Sequence, residues 1–128
     1  MCLIDKKRFR FATENIPIYK VAILYRENFF SPYYYSNKLE KVNTVNIEDK
    51  KPSIFVRMLD NFPGEYEFGR GFFHAFTSIN MARIRAHMLN DWRKYTFVVI
   101  KGYIPAGIRY AISLDETEIC ARQMILDI

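Results

Sequence analysis

Two dense apolar runs constrain the fold more than anything else in the chain: Ile16-Pro17-Ile18-Tyr19-Lys20-Val21-Ala22-Ile23-Leu24-Tyr25 and Tyr95-Thr96-Phe97-Val98-Val99-Ile100-Lys101-Gly102-Tyr103-Ile104. Both are rich in β-branched and aromatic residues, and their density reads as strands buried on both faces. Pro17 stands at the start of the first, where a missing N–H is tolerated. Between them the period changes. Thr77-Ser78 suits an N-cap, and Ile79, Ala82, Ala86 and Leu89 then recur at i, i+3, i+7 and i+10, with Met81, Met88 and Trp92 widening the stripe. Arg83, His87, Asn90 and Lys94 trace the opposite face, so the segment is an amphipathic helix of about four turns.

The remaining segments are shorter. Asn28 to Asn37 reads as an aromatic loop with a Ser31-Pro32 turn, and Leu39 to Ile47 alternates without a clean face. Ser53 to Leu59 is a short strand or helical turn, ended by Asn61-Phe62-Pro63-Gly64. Tyr66 to Phe76 is a glycine-interrupted strand. Ile108 to Ile112 pairs with the second long strand across the Pro105-Ala106-Gly107 turn. Glu118 to Leu126 is compatible with a helix by composition. The expected fold is one α+β domain over residues 1–128. It has a mixed or mainly antiparallel sheet of five to seven short strands on one main helix at residues 78–94. Residues 1–14 are expected to be a loosely packed basic segment.

A chain of 128 residues can bury a core without metal or disulfide staples. Cys2 and Cys120 lie at opposite ends with no Cys/His spacing, so two reduced thiols are expected and no metal site. The N-terminal apolar stretch is too short for a signal peptide, and no window approaches a membrane span. The expected location is the cytoplasm, away from any membrane. The net charge of +5 is compatible with a polyanionic partner, but 14 acidic residues are interspersed and only Lys6, Lys7, Arg8 and Arg10 cluster.

No nucleophile elbow, P-loop or paired-carboxylate motif occurs, and no cofactor is implied. His74 is the best acid–base candidate, since imidazole titrates near neutrality; its commoner role is a packed residue bonded to a backbone group. Arg70, between Gly69 and Gly71, is placed to offer a guanidinium to an anion, or simply marks a flexible turn. Tyr34, within Tyr33-Tyr34-Tyr35 and near Phe29 and Phe30, belongs to a segment that either stacks bases or closes the core.

The order of motifs resembles a group of small bacterial and phage proteins. It carries Gly71-Phe72-Phe73-His74-Ala75-Phe76, a helix with Ala82, and Ile104-Pro105-Ala106-Gly107-Ile108-Arg109-Tyr110. Glu118-Ile119-Cys120-Ala121 stands where those proteins carry Glu-Tyr-Ala-Ser. The resemblance implies a compact α+β domain whose last segment is a strand, and it implies no activity. More distantly, Gly69-Arg70-Gly71-Phe72-Phe73, the polar cap, the alanine-bearing helix and the glycine turn resemble part of the ADP-ribosyltransferase domain. That likeness implies a cleft for NAD or a nucleotide, with Glu118 as the late glutamate and Tyr19 where an early-strand histidine is usual. Three functions follow as expectations: a non-enzymatic binding or regulatory module with a protein partner, a nucleic-acid binder, and a nucleotide-using transferase.

Overall fold

The computed structural model describes residues 3–5, 9–32, 38–44, 66–68, 73–92, 95–113 and 115–128. The chain order is β1 (Leu3–Asp5), β2 (Arg10–Phe11), β3 (Ile16–Tyr25), β4 (Asn28–Phe30), β5 (Val42–Thr44), β6 (Tyr66–Phe68), β7 (Phe73–Phe76), α1 (Ile79–Trp92), β8 (Thr96–Ile104), β9 (Arg109–Ile112), β10 (Glu118–Ala121) and β11 (Gln123–Leu126). β1 and β6 form a two-stranded antiparallel ribbon; the other nine strands form one antiparallel sheet ordered β2-β9-β10-β7-β3-β8-β11-β5, with β4 paired to β3 beside this path.

The two long runs lie side by side at the centre, in register from Ile16↔Ile104 to Leu24↔Thr96. β10 and β11 are separated by Arg122 alone, yet β10 pairs with β7 and β9 while β11 pairs with β8 and β5. The path from β10 through β7, β3 and β8 therefore returns to the same stretch of chain, and the sheet must curl almost into a barrel. The phase of burial slips at the join. Ile119 and Ala121 face the interior before Arg122, and Met124 and Leu126 face it after. A one-residue slip of this kind is what lets one extended stretch serve both flanks of a curled sheet.

Alternation along β3 fills two separate cores. Ile18 and Ala22 join Ala75, Ile100, Ile104, Ile119, Ala121, Met124 and Leu126 inside the curl. Val21 and Ile23 join Phe76 and Phe97 on the outer face, where Ala82 and Ala86 of α1 pack down. Ser78 caps the helix through a 3.2 Å bond from the Met81 N–H, in the manner expected of a serine N-cap. At the far end the Asn90 amide bonds both the N–H and the carbonyl of Phe97, at 2.7 and 3.0 Å. It acts there as a surrogate strand where β11, whose described pairing with β8 covers Gly102 and Tyr103, does not reach.

Several expectations are corrected. Among the described residues the sheet has nine strands rather than five to seven. β4 falls in the expected loop, because the β3–β4 hairpin turns through Arg26 and Glu27 at φ 48° and 66°. Positive φ at both positions of a two-residue turn is normally signalled by Asn or Gly, so this hairpin carries no sequence cue. Glu118–Ala121 and Gln123–Leu126 are strands, the form that the resemblance implies for the last segment and one of the two that composition left open. β9 pairs with β10 and β2 rather than with β8, because the Pro105–Ile108 turn is wrapped by the N-terminal segment. Gly107 N–H donates to Ala12 O, Ala12 N–H to Ile108 O, and Ala106 N–H to the Asn15 side chain. Within the expected loose segment, Arg10 and Phe11 are paired and Ala12 is buried. Met81 and Met88, expected to widen the buried stripe, are substantially exposed. The segment Ser53 to Leu59 lies outside the described residues.

Candidate functional site

The edge of β3 opposite β8 is shared by two strands. β7 meets it at Tyr19↔Phe76, and β4 meets it from Ile23↔Phe30 to Tyr25↔Asn28. The sheet forks between these two pairings, and Lys20 stands at the fork. Its parity puts it with Ile18 and Ala22 inside the curl, where it is 1% exposed. Its Nζ donates to the His74 carbonyl at 2.7 Å. Burial removes the ammonium from water, and this desolvation pulls the Lys20 pKa down to about 7. An amine so poised resembles those used as nucleophiles and bases. Neither of the hollows described below is lined by it.

On the outer face, strand register brings the sequence candidates together. Cys120 is directly opposite His74, and Glu118 is directly opposite Phe76, so His74 and Glu118 share a face as diagonal neighbours on adjacent strands, about 7–8 Å apart by sheet geometry. Tyr19 continues the Glu118–Phe76 row onto β3. All three are half-buried, and the Nδ1 atom of His74 is itself shielded from solvent. The Arg85 guanidinium lies 5.6 Å from the centre of the Phe76 ring. The result is an aromatic floor with an imidazole, a carboxylate and a phenol around it and a guanidinium on the helix above. Arg70 and Tyr34 lie outside the described residues.

Hydrogen bonds link the residues that lead into Glu118. Asp115 Oδ1 accepts from the Ser113 and Thr117 hydroxyls and from the Thr117 N–H, at 2.7, 2.8 and 3.1 Å. These bonds favour the charged form and hold the Asp115 carboxyl below its usual pKa. The Thr77 hydroxyl donates to the Glu116 carbonyl at 2.7 Å, tying this loop to the start of α1.

A different surface lies along α1. Arg85 marks the flank facing β7, and Met81 and Met88 share that flank by helical spacing. With Ile84 they are 36%, 44% and 54% exposed respectively. On the same side of the sheet, Ile23, Tyr25, Phe30 and Tyr95 line an open hollow of about 380 Å³. Leu24, Tyr25 and Tyr95 are also exposed. A second, smaller hollow is lined by Arg10, Tyr110, Ile112 and Glu116.

Lys20, Arg85 and the exposed flank of α1 escaped the sequence reading. Only Lys20 left a signal, as a lone cation at an inward position of a run otherwise buried on both faces. Among the described residues no group of His, Cys, Asp and Glu could hold a metal ion, and no helix is long and apolar enough to cross a membrane. Comparison with protein-family models, curated proteins and solved structures gives no match.

Proposed function

We propose that the chain is a non-enzymatic binding module that holds an apolar segment of a partner protein against the flank of α1. The observation that carries this reading is the exposure of Met81, Ile84 and Met88 on the same side of the sheet as the hollow lined by Ile23, Tyr25, Phe30 and Tyr95. The helix already has alanines and Leu89 facing the sheet, so these three side chains are surplus to the fold. Unbranched methionines adapt to varied apolar surfaces, and tyrosines supply anchors common at interface centres. Exposed apolar patches on a soluble domain mark interaction sites, and Met81, Ile84 and Met88 fall at i, i+3 and i+7 on one helix.

Ile84→Asp tests the reading directly. The side chain is exposed, so the melting temperature should stay within a few degrees of wild type. Capture should be quantified in parallel with wild type, Ile84→Asp and Arg83→Asp, the last on the other flank. A partner retained by wild type and Arg83→Asp but reduced about tenfold or more by Ile84→Asp is the expected result. Sedimentation of the same variants identifies the case in which that partner is a second copy. A partner set indifferent to Ile84→Asp would refute the assignment.

A second reading, a nucleotide-using enzyme of the ADP-ribosyltransferase type, draws support from one observation: His74, Glu118 and Tyr19 share a half-buried face around Phe76. It expects NAD to raise the melting temperature of wild type and of Arg83→Gln, and to leave Glu118→Gln unmoved. An unchanged wild-type melting temperature with millimolar NAD would remove it.

A further inference from the structure

The outer core is covered by α1 only in part. Ala82 and Ala86 pack with Val21, Ile23, Phe76 and Phe97, and the helix ends at Trp92. Strand alternation sends Tyr25 and Tyr95 to the same face, one step beyond Ile23 and Phe97. Both are exposed there, and with Ile23 and Phe30 they line the open hollow of about 380 Å³. The flank of α1 marked by Arg85 lies over Phe76 of β7, and Phe30 belongs to β4. Since β7 and β4 share one edge of β3, the methionine flank and the hollow form a strip along that edge.

Two arginines border the strip. Arg85 lies 5.6 Å from the centre of the Phe76 ring, and Arg26, in the β3–β4 turn, lies 5.2 Å from that of Tyr25. Stacking on a ring orients a guanidinium without neutralising it. Glu27 adjoins Arg26 in the turn, but it is Arg26 that lies over a ring of the hollow. The described ion pairs, Lys38–Glu40 and His87–Asp91, involve neither arginine. Asp91 is the one carboxylate on α1, and the first turn of the helix carries none, so the positive end of its dipole adds to the field.

The strip thus combines apolar anchors with oriented cations. A second copy of the chain suits it poorly. A twofold interface sets a patch against its own likeness, which would bring arginines together between chains that each carry a net charge of +5. An apolar segment flanked by Asp or Glu meets both features at once, because a guanidinium fork matches a carboxylate in a bidentate way.

We propose that the partner segment is acidic and amphipathic, a statement that rests on the protein-binding reading above. Its apolar side chains sit in the hollow and against Met81 and Met88, and its carboxylates pair with Arg26 and Arg85.

The probe is a displayed library of random peptides selected on the wild-type protein, with the strongest binders synthesised and titrated by fluorescence anisotropy. These binders should carry Asp or Glu beside apolar residues, and their affinity should weaken with added salt. Ile84→Asp and Arg26→Glu should each reduce it about tenfold or more. Arg85→Gln, which retains a long side chain over Phe76, should weaken it as well. Arg83→Glu, an equal change of net charge on the other flank, should have little effect. Exchanging the peptide's carboxylates for lysine should restore binding to Arg26→Glu, and thermal melts confirm that each variant is folded. Binders that need Ile84 but show no acidic enrichment, or that ignore Arg26→Glu and Arg85→Gln, would overturn the acidic partner and leave the apolar reading standing. A response to Arg83→Glu as large as that to Arg26→Glu would do the same. Binding indifferent to Ile84→Asp, or no binder at all, would remove both. Self-association abolished by Ile84→Asp would make a second copy the occupant, and Ile84-dependent cosedimentation with anionic lipid vesicles would make it a membrane; either result overturns the acidic segment.

Discussion

Gly102→Ala is expected to destabilise the fold by about 3 kcal/mol, the upper end of the usual range for overpacking a core, and to lower the melting temperature by roughly 10 °C. Gly102 lies on β8 where β11 crosses closest, with Leu126 as its register partner. A Cβ there would lie inside van der Waals contact of the Ile125 carbonyl oxygen and crowd Leu126 Cδ2. The first obstacle is backbone, so rotation of a side chain cannot relieve it. β11 would have to move away from β8, and it carries the buried Met124 and Leu126 and the pairing with β5. Gly107 provides the control. Its φ of +88° disfavours a side chain, but nothing lies within 4 Å of an added Cβ, so Gly107→Ala should cost only about 1 kcal/mol through backbone strain. Urea denaturation of the two variants distinguishes them. If Gly102→Ala is no more harmful than Gly107→Ala, the close β8–β11 approach that completes the curl is wrong.

That contrast shows what could be read from the chain and what could not. β3, β8 and α1 were legible because each is long and its pattern is dense enough to exceed local ambiguity. The curl of the sheet was hidden in a phase slip at a single residue, Arg122. On either side of it the burial period is two, but across it Ile119, Ala121, Met124 and Leu126 fall at odd and then even positions, which blurs the period into something compatible with a helix. β5 was obscured for another reason. Asn43 is the buried residue and Val42 the exposed one, an inversion made tolerable because the Asn43 amide exchanges bonds with the backbone of Glu40 at 2.8 and 2.6 Å. Composition cannot announce a polar residue that is buried because its partners are backbone.

The candidate face was legible in part. His74, Glu118 and Tyr19 were chosen as chemical types, and pairing of β10 with β7 and of β7 with β3 brings them onto one surface. The sequence offered no way to know this, since it depends on residues 118–121 being a strand beside β7.

Among the described residues, Lys20 carries the largest expected pH effect. Its amine has a pKa of about 7 in the folded chain against an ordinary value of 10.5. Between those two values the unfolded chain holds a proton on Lys20 that the folded chain has released. Stability therefore rises with pH in this window, with a slope approaching about 1.4 kcal/mol per pH unit, and the contribution is lost as pH falls toward 7. From pH 7 to pH 9 the gain should reach about 2 kcal/mol. Lys20→Met removes the titrating group while retaining an unbranched chain of similar reach. It deprives the His74 carbonyl of one donor, a cost of about 1–3 kcal/mol, but relieves the core of a group that prefers water. The variant should consequently fold, and its stability should be nearly flat between pH 7 and pH 9 where wild type climbs. Denaturant titrations at several pH values read both slopes. Parallel curves for wild type and Lys20→Met would mean that the amine keeps its proton in the folded state, stabilised within the fork between β7 and β4. In that case Lys20 would be a buried cation fixed by its carbonyl partner, and no longer an amine held near neutrality by the apolar interior of the curled sheet.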